Sequence, residues 1–244
     1  MPTGTGRRYR TTSRSVRLFR SFLKEQAEPH VFYGELAGDT VQEVIEHHAL
    51  EGATVVDVGC GPEEFAKAFR AAGARYVGLD VDVHTQEGGA RAHSIAARGQ
   101  HLPFADGCVD IALSSNVMEH VPDPGVLGRE MIRVVRPGGL VFISYTAWWS
   151  PHGGHETAPW HYLGGERAAR RYERVHGHPP KNRYGTSLYA AHVGEGMAWA
   201  RRQPDVDLVA LVPRYHPQWA TGILRVPGLR EVLTWNLLMV LRRR

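Results

Sequence analysis

Apolar positions recur at helical spacing near the start of the chain and gather into short unbroken runs further on. Val16, Phe19, Phe22 and Leu23 share one face of a helix beginning at Ser13, with arginines opposite, and Pro29 ends it. Residues 1–12 show no such pattern and are expected to be unordered. Asp39 reads as the N-cap of a second helix carrying Val41, Val44, Ile45, His48 and Ala49. Strands and helices then alternate. Thr54–Val58 is a β-branched run suited to a buried parallel strand. Pro62 opens a helix with Phe65, Ala66, Ala68 and Phe69 that Gly73 closes. Arg75–Asp80, residues 93–97 and residues 108–114 read as further strands, 124–135 as a helix stopped by Arg136-Pro137-Gly138-Gly139, and 140–145 as a strand. This order predicts an α/β fold with a mostly parallel sheet and helices on both faces. Residues 146–204 are rich in Gly, Pro, His and Trp and lack strand signals. Segments 206–212 and 236–241 read as strands flanking a helix at 226–233, a hairpin-like pair that closes the sheet.

Composition narrows the class. The 244 residues are 43% hydrophobic and 22% charged, as in an ordinary globular chain. No apolar run is long enough to span a bilayer. Two cysteines, Cys60 and Cys108, exclude a disulfide framework and a four-cysteine zinc site and fit a reducing, cytoplasmic setting. The net charge of +4 is uneven: Arg7, Arg8, Arg10, Arg14, Arg17, Arg20 and Lys24 fall in the first 24 residues with no acidic residue among them, so the remainder is mildly acidic. Such a segment can meet nucleic acid or anionic lipid, or can be a solvated helix, which is the expectation here. Residues 1–50 are therefore read as a basic tail with capping helices, and 51–244 as the main domain with an insertion at about 146–204.

The segment Val55-Val56-Asp57-Val58-Gly59-Cys60-Gly61-Pro62 carries the chemistry. A strand ends in a glycine-rich turn that opens a helix, and ligands of doubly wound sheets bind at such carboxyl ends. Asp80 ends the next strand, where an acid can accept hydrogen bonds from ribose hydroxyls. A dinucleotide fingerprint requires glycine where this chain has Glu64, which weighs against a nicotinamide cofactor. A strand-turn-helix without any ligand is the remaining alternative.

These residues resemble the class I S-adenosylmethionine-dependent methyltransferases of the methyltransferase 11 type. VVDVGCGP matches the first motif, YVGLDVD the second strand with its acid, LPFADGCVDIALSSNVMEHVPDP (102–124) the middle motif, and MIRVVRPGGLVFISY (131–145) the helix-turn-strand after it. The likeness spans roughly residues 50–147. SPHGGHETAPWHYLGG and RYHPQWA resemble poorly characterised actinobacterial members associated with cell-envelope glycan genes. The resemblance implies a Rossmann-like, seven-stranded sheet with a C-terminal antiparallel strand, and S-adenosyl-L-methionine as cofactor. It places Asp57, Gly59, Cys60 and Gly61 at the methionine end, Asp80 on the ribose, Val81, Gly99 and Gln100 by the adenine, and Ser115 and Asn116 under the sulfonium. Two positions depart from the family: Glu63 stands where a third glycine is common, and Arg98 where an acid is expected.

Methyl transfer is an in-line displacement, and a hydroxyl acceptor needs a base or a metal. His120 follows the fourth strand, and His155 and Glu156 lie in the insertion with His152, His161, Trp148, Trp149 and Trp160. His120, His155 and Glu156 are the expected catalytic groups. His155-Glu156 and His161 do not make H-E-x-x-H, and Pro159 interrupts them, so no metal site is expected. Tryptophans there suit a sugar or aromatic acceptor, or simple packing. Lys181 to Gly185 and Arg214-Tyr215-His216 read as cations and phenols for an anionic substrate, or as surface turns. The expected acceptor is a small molecule or glycan, methylated at a hydroxyl oxygen. Rivals are nucleic-acid methylation guided by the basic segment, which is not the expected partner, and an inactive cofactor-binding protein. The N-terminal helix is expected to cover the cleft, and its arginines permit peripheral membrane contact.

Overall fold

The computed structural model describes residues 9–23, 28–61, 63–81, 94–96 and 101–244. Among them, seven strands form one sheet in the order β3-β2-β1-β4-β5-β7-β6. These are β1 (Thr54–Val58), β2 (Arg75–Asp80), β3 (Ser94–Ala96), β4 (Val109–Ser115), β5 (Val135–Thr146), β6 (Val206–Pro213) and β7 (Asn236–Arg243). Six have five or more residues, and β3 is a three-residue edge strand. Neighbours from β3 to β5 are parallel, whereas β7 runs antiparallel to both β5 and β6.

Side chains alternate between two faces. Val55, Ile111, Phe142 and Val240 pack on α2 (Pro29–Ile45) and α3 (Glu63–Ala71). Val56, Ala112, Val141 and Met239 pack on α4 (Pro124–Val134) and α6 (Val193–Arg202). The central strands are buried on both faces, which is why they read as continuous apolar runs rather than alternating ones. Asp123 caps α4 by accepting from the Val126 amide at 3.1 Å, with Pro124 at the first helical position.

The structure corrects the sequence reading at several places. Pro29 opens α2 instead of merely ending a helix, so Asp39 lies inside that helix and is no N-cap. Chain pairing starts at Val135, five residues before the expected strand: Val109 pairs with Val135, then Ile111 with Leu140. The surplus residues bulge out, and Gly138 at φ +80° accepts that bend. The helix expected at 226–233 is only the short α7 (Leu229–Leu233), preceded by a 3₁₀ turn at Gln218–Arg225.

The N-terminal segment differs most. Helix α1 (Thr12–Phe22) buries Arg14, Leu18 and Ser21, while Val16, Phe19 and Leu23 stay exposed. The apolar stripe therefore docks only in part, Phe22 on Phe32 and Phe19 on Trp235, while the fully buried positions fall on a neighbouring face. The reason is a buried charge network. Arg14 donates through Nε to Asp39 Oδ1 at 2.7 Å and through Nη1 to the Arg214 carbonyl at 2.9 Å. Arg10 donates to Glu43 at 2.6 Å, and the Tyr9 hydroxyl to Asp39 at 2.6 Å. Residues 9 and 10 are thus pinned, contrary to the unordered start expected for 1–12; residues 1–8 lie outside the described set.

Removing one partner of a buried pair leaves the other charge desolvated and costs about 3–5 kcal/mol. Arg14→Met should therefore lower the unfolding free energy in urea by about that amount. Arg244→Ala, whose partner Asp207 is exposed, should change it by less than about 1 kcal/mol. Equal losses in the two variants would contradict this reading of the network.

Candidate active site

The strands β1 and β4 end side by side, and the chain leaves each in a conformation that opens a cavity of about 930 Å³. Helices α1 and α2 roof it through Leu18, Phe19, Phe22 and Phe32. The expected covering of the cleft by the N-terminal helix is seen in this roof.

After β1, Gly59 adopts φ +74° and Gly61 φ +50°. A Cβ on Gly59 would collide with the Val117 side chain, so only glycine lets the turn lie this close to the end of β4. The Gly59 and Cys60 amides donate to the Leu79 carbonyl at 2.8 and 3.1 Å, tying the turn to β2. Asp57 faces the cavity with one oxygen held by the Tyr76 hydroxyl at 2.6 Å. Its Oδ1 is buried without a partner. Burial pushes this carboxyl up to about 7; the Tyr76 hydrogen bond and Arg214 act against the rise and Asp80 adds to it. Such a group is poised to receive a cationic ligand, whose charge would restore the carboxylate.

At the end of β4, Ser115 and Asn116 form the floor. Ser115 Oγ accepts from Arg214 Nη1 at 2.8 Å. Asn116 sits at φ +59°, its Oδ1 accepting from Asn236 at 2.7 Å and its Nδ2 donating to the Tyr215 hydroxyl at 3.4 Å. Arg214 is fully buried and also donates to Ser144 and Thr40, both at 2.6 Å. It is neither a surface turn nor a free cation for substrate, as the sequence alone allowed.

The histidines converge on the far wall. His120 ends a 3₁₀ turn, Met118–His120, directly after β4. Its Nδ1 lies 2.7 Å from the Ser187 carbonyl, which can only accept, so Nδ1 carries a hydrogen, and in the neutral ring Nε2 has the lone pair. His155, in the turn His155–Thr157, stands with its ring centroid 5.1 Å from that of His120. Burial pulls its pKa down to about 4, assisted by His120, His152 and His161 and opposed by Glu119, so it is neutral near pH 7. Asn116 and His155 are the two non-glycine residues with positive φ among the described residues, and both line the cavity. Strain of this kind concentrates where side chains are aimed for function.

The remaining candidates separate. Glu156 also lines the cavity but is exposed, with Oε1 accepting from Asn182 at 2.8 Å. Asp80 ends β2 one strand away from Gly59, next to Ala96 of β3, and Val81 follows it with its side chain exposed. Gly99, Gln100, Arg98 and Pro62 lie outside the described residues, as does the Glu63 side chain. Trp148 is buried between His161 and Tyr184, Trp149 stacks on Tyr162, and Trp160 lies under the Arg171 guanidinium at 4.0 Å. These tryptophans build the insertion itself. Glu119 was not singled out by sequence: it is buried beside His120, its Oε1 accepting from the Thr146 amide at 2.9 Å.

Comparison with known proteins agrees with this geometry. A family model described as a methyltransferase domain matches residues 56–143. A relative from Mycolicibacterium gilvum is 53% identical over 244 residues, covering 95% of each chain. One from Mycobacteroides abscessus is 51% identical over 249 residues, covering 96% of this chain and 95% of its own. Both are called uncharacterized methyltransferases. The crystal structure of an S-adenosylmethionine-dependent methyltransferase from Mesorhizobium loti shares the fold, with a TM-score of 0.56 and 21% identity over 85% of this chain and 98% of that one.

The raised Asp57 carboxyl has a consequence for stability. An unfolded aspartate titrates near ~3.9, so folding favours the protonated form. That contribution is complete below about pH 4 and is lost as pH rises through about 7. Asp57→Asn removes the dependence while leaving an acceptor for Tyr76. Thermal melts should show the variant gaining on the wild type from about pH 5 to about pH 8. A constant or shrinking difference would contradict the assignment.

Proposed function

The chain belongs to the methyltransferase family of these mycobacterial relatives, and on that premise we propose that it moves a methyl group from S-adenosylmethionine to a hydroxyl oxygen of a small molecule or glycan. The observation that carries this reading is one cavity with two chemically different ends: a buried, half-partnered carboxylate beside a glycine turn, and a cluster of imidazoles.

The residues fit the cofactor. Asp57 Oδ1 lacks a partner and suits the methionyl ammonium, Gly59 leaves space no Cβ could share, and Ser115 with Asn116 lies between the two ends. Asp80, at the end of the neighbouring strand β2, is the residue assigned to the ribose in this reading. When bound, S-adenosylmethionine supplies an electrophilic methyl carbon on a sulfonium.

The protein then has two tasks. It aligns the acceptor oxygen for in-line attack, which a roofed cavity accomplishes by limiting orientations. It also receives the acceptor's proton. His120, with Nε2 left as a lone pair by the Ser187 contact, and neutral His155 provide that capacity. An amine acceptor would not need them, and their convergence favours oxygen. The nucleic-acid reading is not favoured, since Arg10 and Arg14 are buried against Glu43 and Asp39 and add nothing to a basic surface. No helix among the described residues is long and apolar enough to cross a membrane.

S-adenosylhomocysteine at about a hundred times its dissociation constant should stabilise the fold by about 2.7 kcal/mol in a thermal-shift titration, with no shift from NAD. Asp80→Ala should weaken that binding at least about tenfold. His155→Ala should leave it within about twofold while lowering methyl transfer to any acceptor found by screening with radiolabelled S-adenosylmethionine. A shift with NAD alone, or equal losses of cofactor binding in both variants, would contradict the proposal. Affinity for S-adenosylhomocysteine should also rise from about pH 6 to about pH 8 as Asp57 ionises, and this rise should be absent in Asp57→Asn.

A further inference from the structure

Two side chains of the cavity wall, His120 and His155, and the buried Glu119 behind them stand in an arrangement that their positions in sequence conceal. Glu119 and His120 follow β4, and His155 comes from the insertion. Each offers one ligand atom, and these atoms lie within 4.8 Å of one another. No hydrogen bond or ion pair joins the three. Glu119 is 1% exposed, with Oε1 fixed by the Thr146 amide and Oε2 buried without a partner. His155 Nε2 is likewise buried without a partner. His120 donates from Nδ1 to the Ser187 carbonyl, the contact that orients a ligating imidazole and frees its Nε2. Buried polar atoms normally find partners, and here two orphans belong to residues whose ligand atoms gather with one from His120.

We propose that Glu119, His120 and His155 bind a divalent transition-metal ion at the acceptor end of the cavity. Two imidazoles and one carboxylate suit zinc, manganese, iron or cobalt, whereas magnesium and calcium prefer all-oxygen sites. Three protein ligands leave open positions facing the cavity, as at catalytic metal centres. The use of the ion rests on the methyl-transfer reading, although the ion site itself does not. It selects acceptors whose nucleophilic hydroxyl neighbours a second oxygen, so that both can ligate. The acceptor O–H gives its proton to solvent water, its oxygen forms the new O–CH3 bond, and the S–CH3 electron pair stays on sulfur. His120 and His155 then act as ligands, and the ion takes over the acidification otherwise ascribed to them as bases. The sequence spacing around His155 argued against a metal because the third ligand, Glu119, lies 36 residues away.

The test uses chelator-treated full-length protein titrated with Co²⁺, read by visible absorption and by displacement with Zn²⁺. One equivalent should bind, at least about tenfold more weakly in Glu119→Gln and His155→Gln and unchanged in His178→Gln, an exposed control. In the wild type, Zn²⁺ should also protect His120 from diethyl pyrocarbonate, mapped by mass spectrometry, so the outcome does not depend on the variants folding. Absence of saturable Co²⁺ binding, absence of His120 protection, or full binding in the Glu119→Gln/His155→Gln double variant would overturn the site. S-adenosylhomocysteine titrated into the same samples separates the two readings. Its binding without Co²⁺ binding sinks only the metal site, and Co²⁺ binding without it sinks only the methyl-transfer reading.

Discussion

Two arginines, Arg14 of α1 and Arg10 just before it, held inside the protein by two carboxylates of α2 decide where the active cavity has its roof. Arg14 meets Asp39 and Glu43, and Arg10 meets Glu43, all almost wholly removed from water. Desolvating such ions is costly, and the pairs recover the cost only in one geometry. That demand for geometry fixes α1. Leu18 and Phe22 then fall over the ends of β1 and β4, and the Arg14 contact to the Arg214 carbonyl connects the roof to the end of β6. Arg214 carries the connection down to Ser115, Ser144 and Thr40, so one chain of buried polar contacts runs from the N-terminal helix to the cavity floor.

Below this roof the cavity divides the chemistry. One end concentrates a single buried carboxylate against a turn without side chains, an environment that asks for a cation lying close to backbone. The other collects the imidazoles of His120 and His155, with the buried Glu119 carboxylate behind them. The floor between them, Asn116 with Asn236 and Tyr215, is aimed by its own hydrogen bonds and by a left-handed backbone. The parallel sheet sets the distance between the ends, because β1 and β4 are neighbours in register.

Much of the scaffold was legible in the residues. Thr54–Val58 and Arg75–Asp80 are strands over the ranges read, the first from a β-branched run that reflects burial on both faces. In the pair closing the sheet, β7 was visible for the same reason, whereas the edge strand β6 is only partly buried and was read from its apolar residues alone. Asp39 misled because a helix-interior aspartate looks like a cap when its partner, Arg14, is 25 residues away. The face of α1 misled because arginine is normally solvated, and only the fold supplies the carboxylates that bury it. Of the site, the Asp57–Gly61 turn and the floor at Ser115 and Asn116 were readable from motif order. His120 and His155 were each named, but their meeting was not, since it depends on how the insertion folds back. Glu119 had no signal of its own, and Arg214 was read as a substrate cation or a surface turn: their roles come from burial, which neighbours in sequence do not reveal.

Hydrogen exchange with and without S-adenosylhomocysteine tests the cavity and its roof together. Added ligand should slow exchange in peptides spanning the turn at residues 57–61, the floor at 113–121 and the roof at 12–22, and leave the far ends of β6 and β7 unchanged. Protection confined to other regions, or slowed exchange at the turn with none in the roof, would contradict a cofactor cavity closed by the arginine-anchored helix.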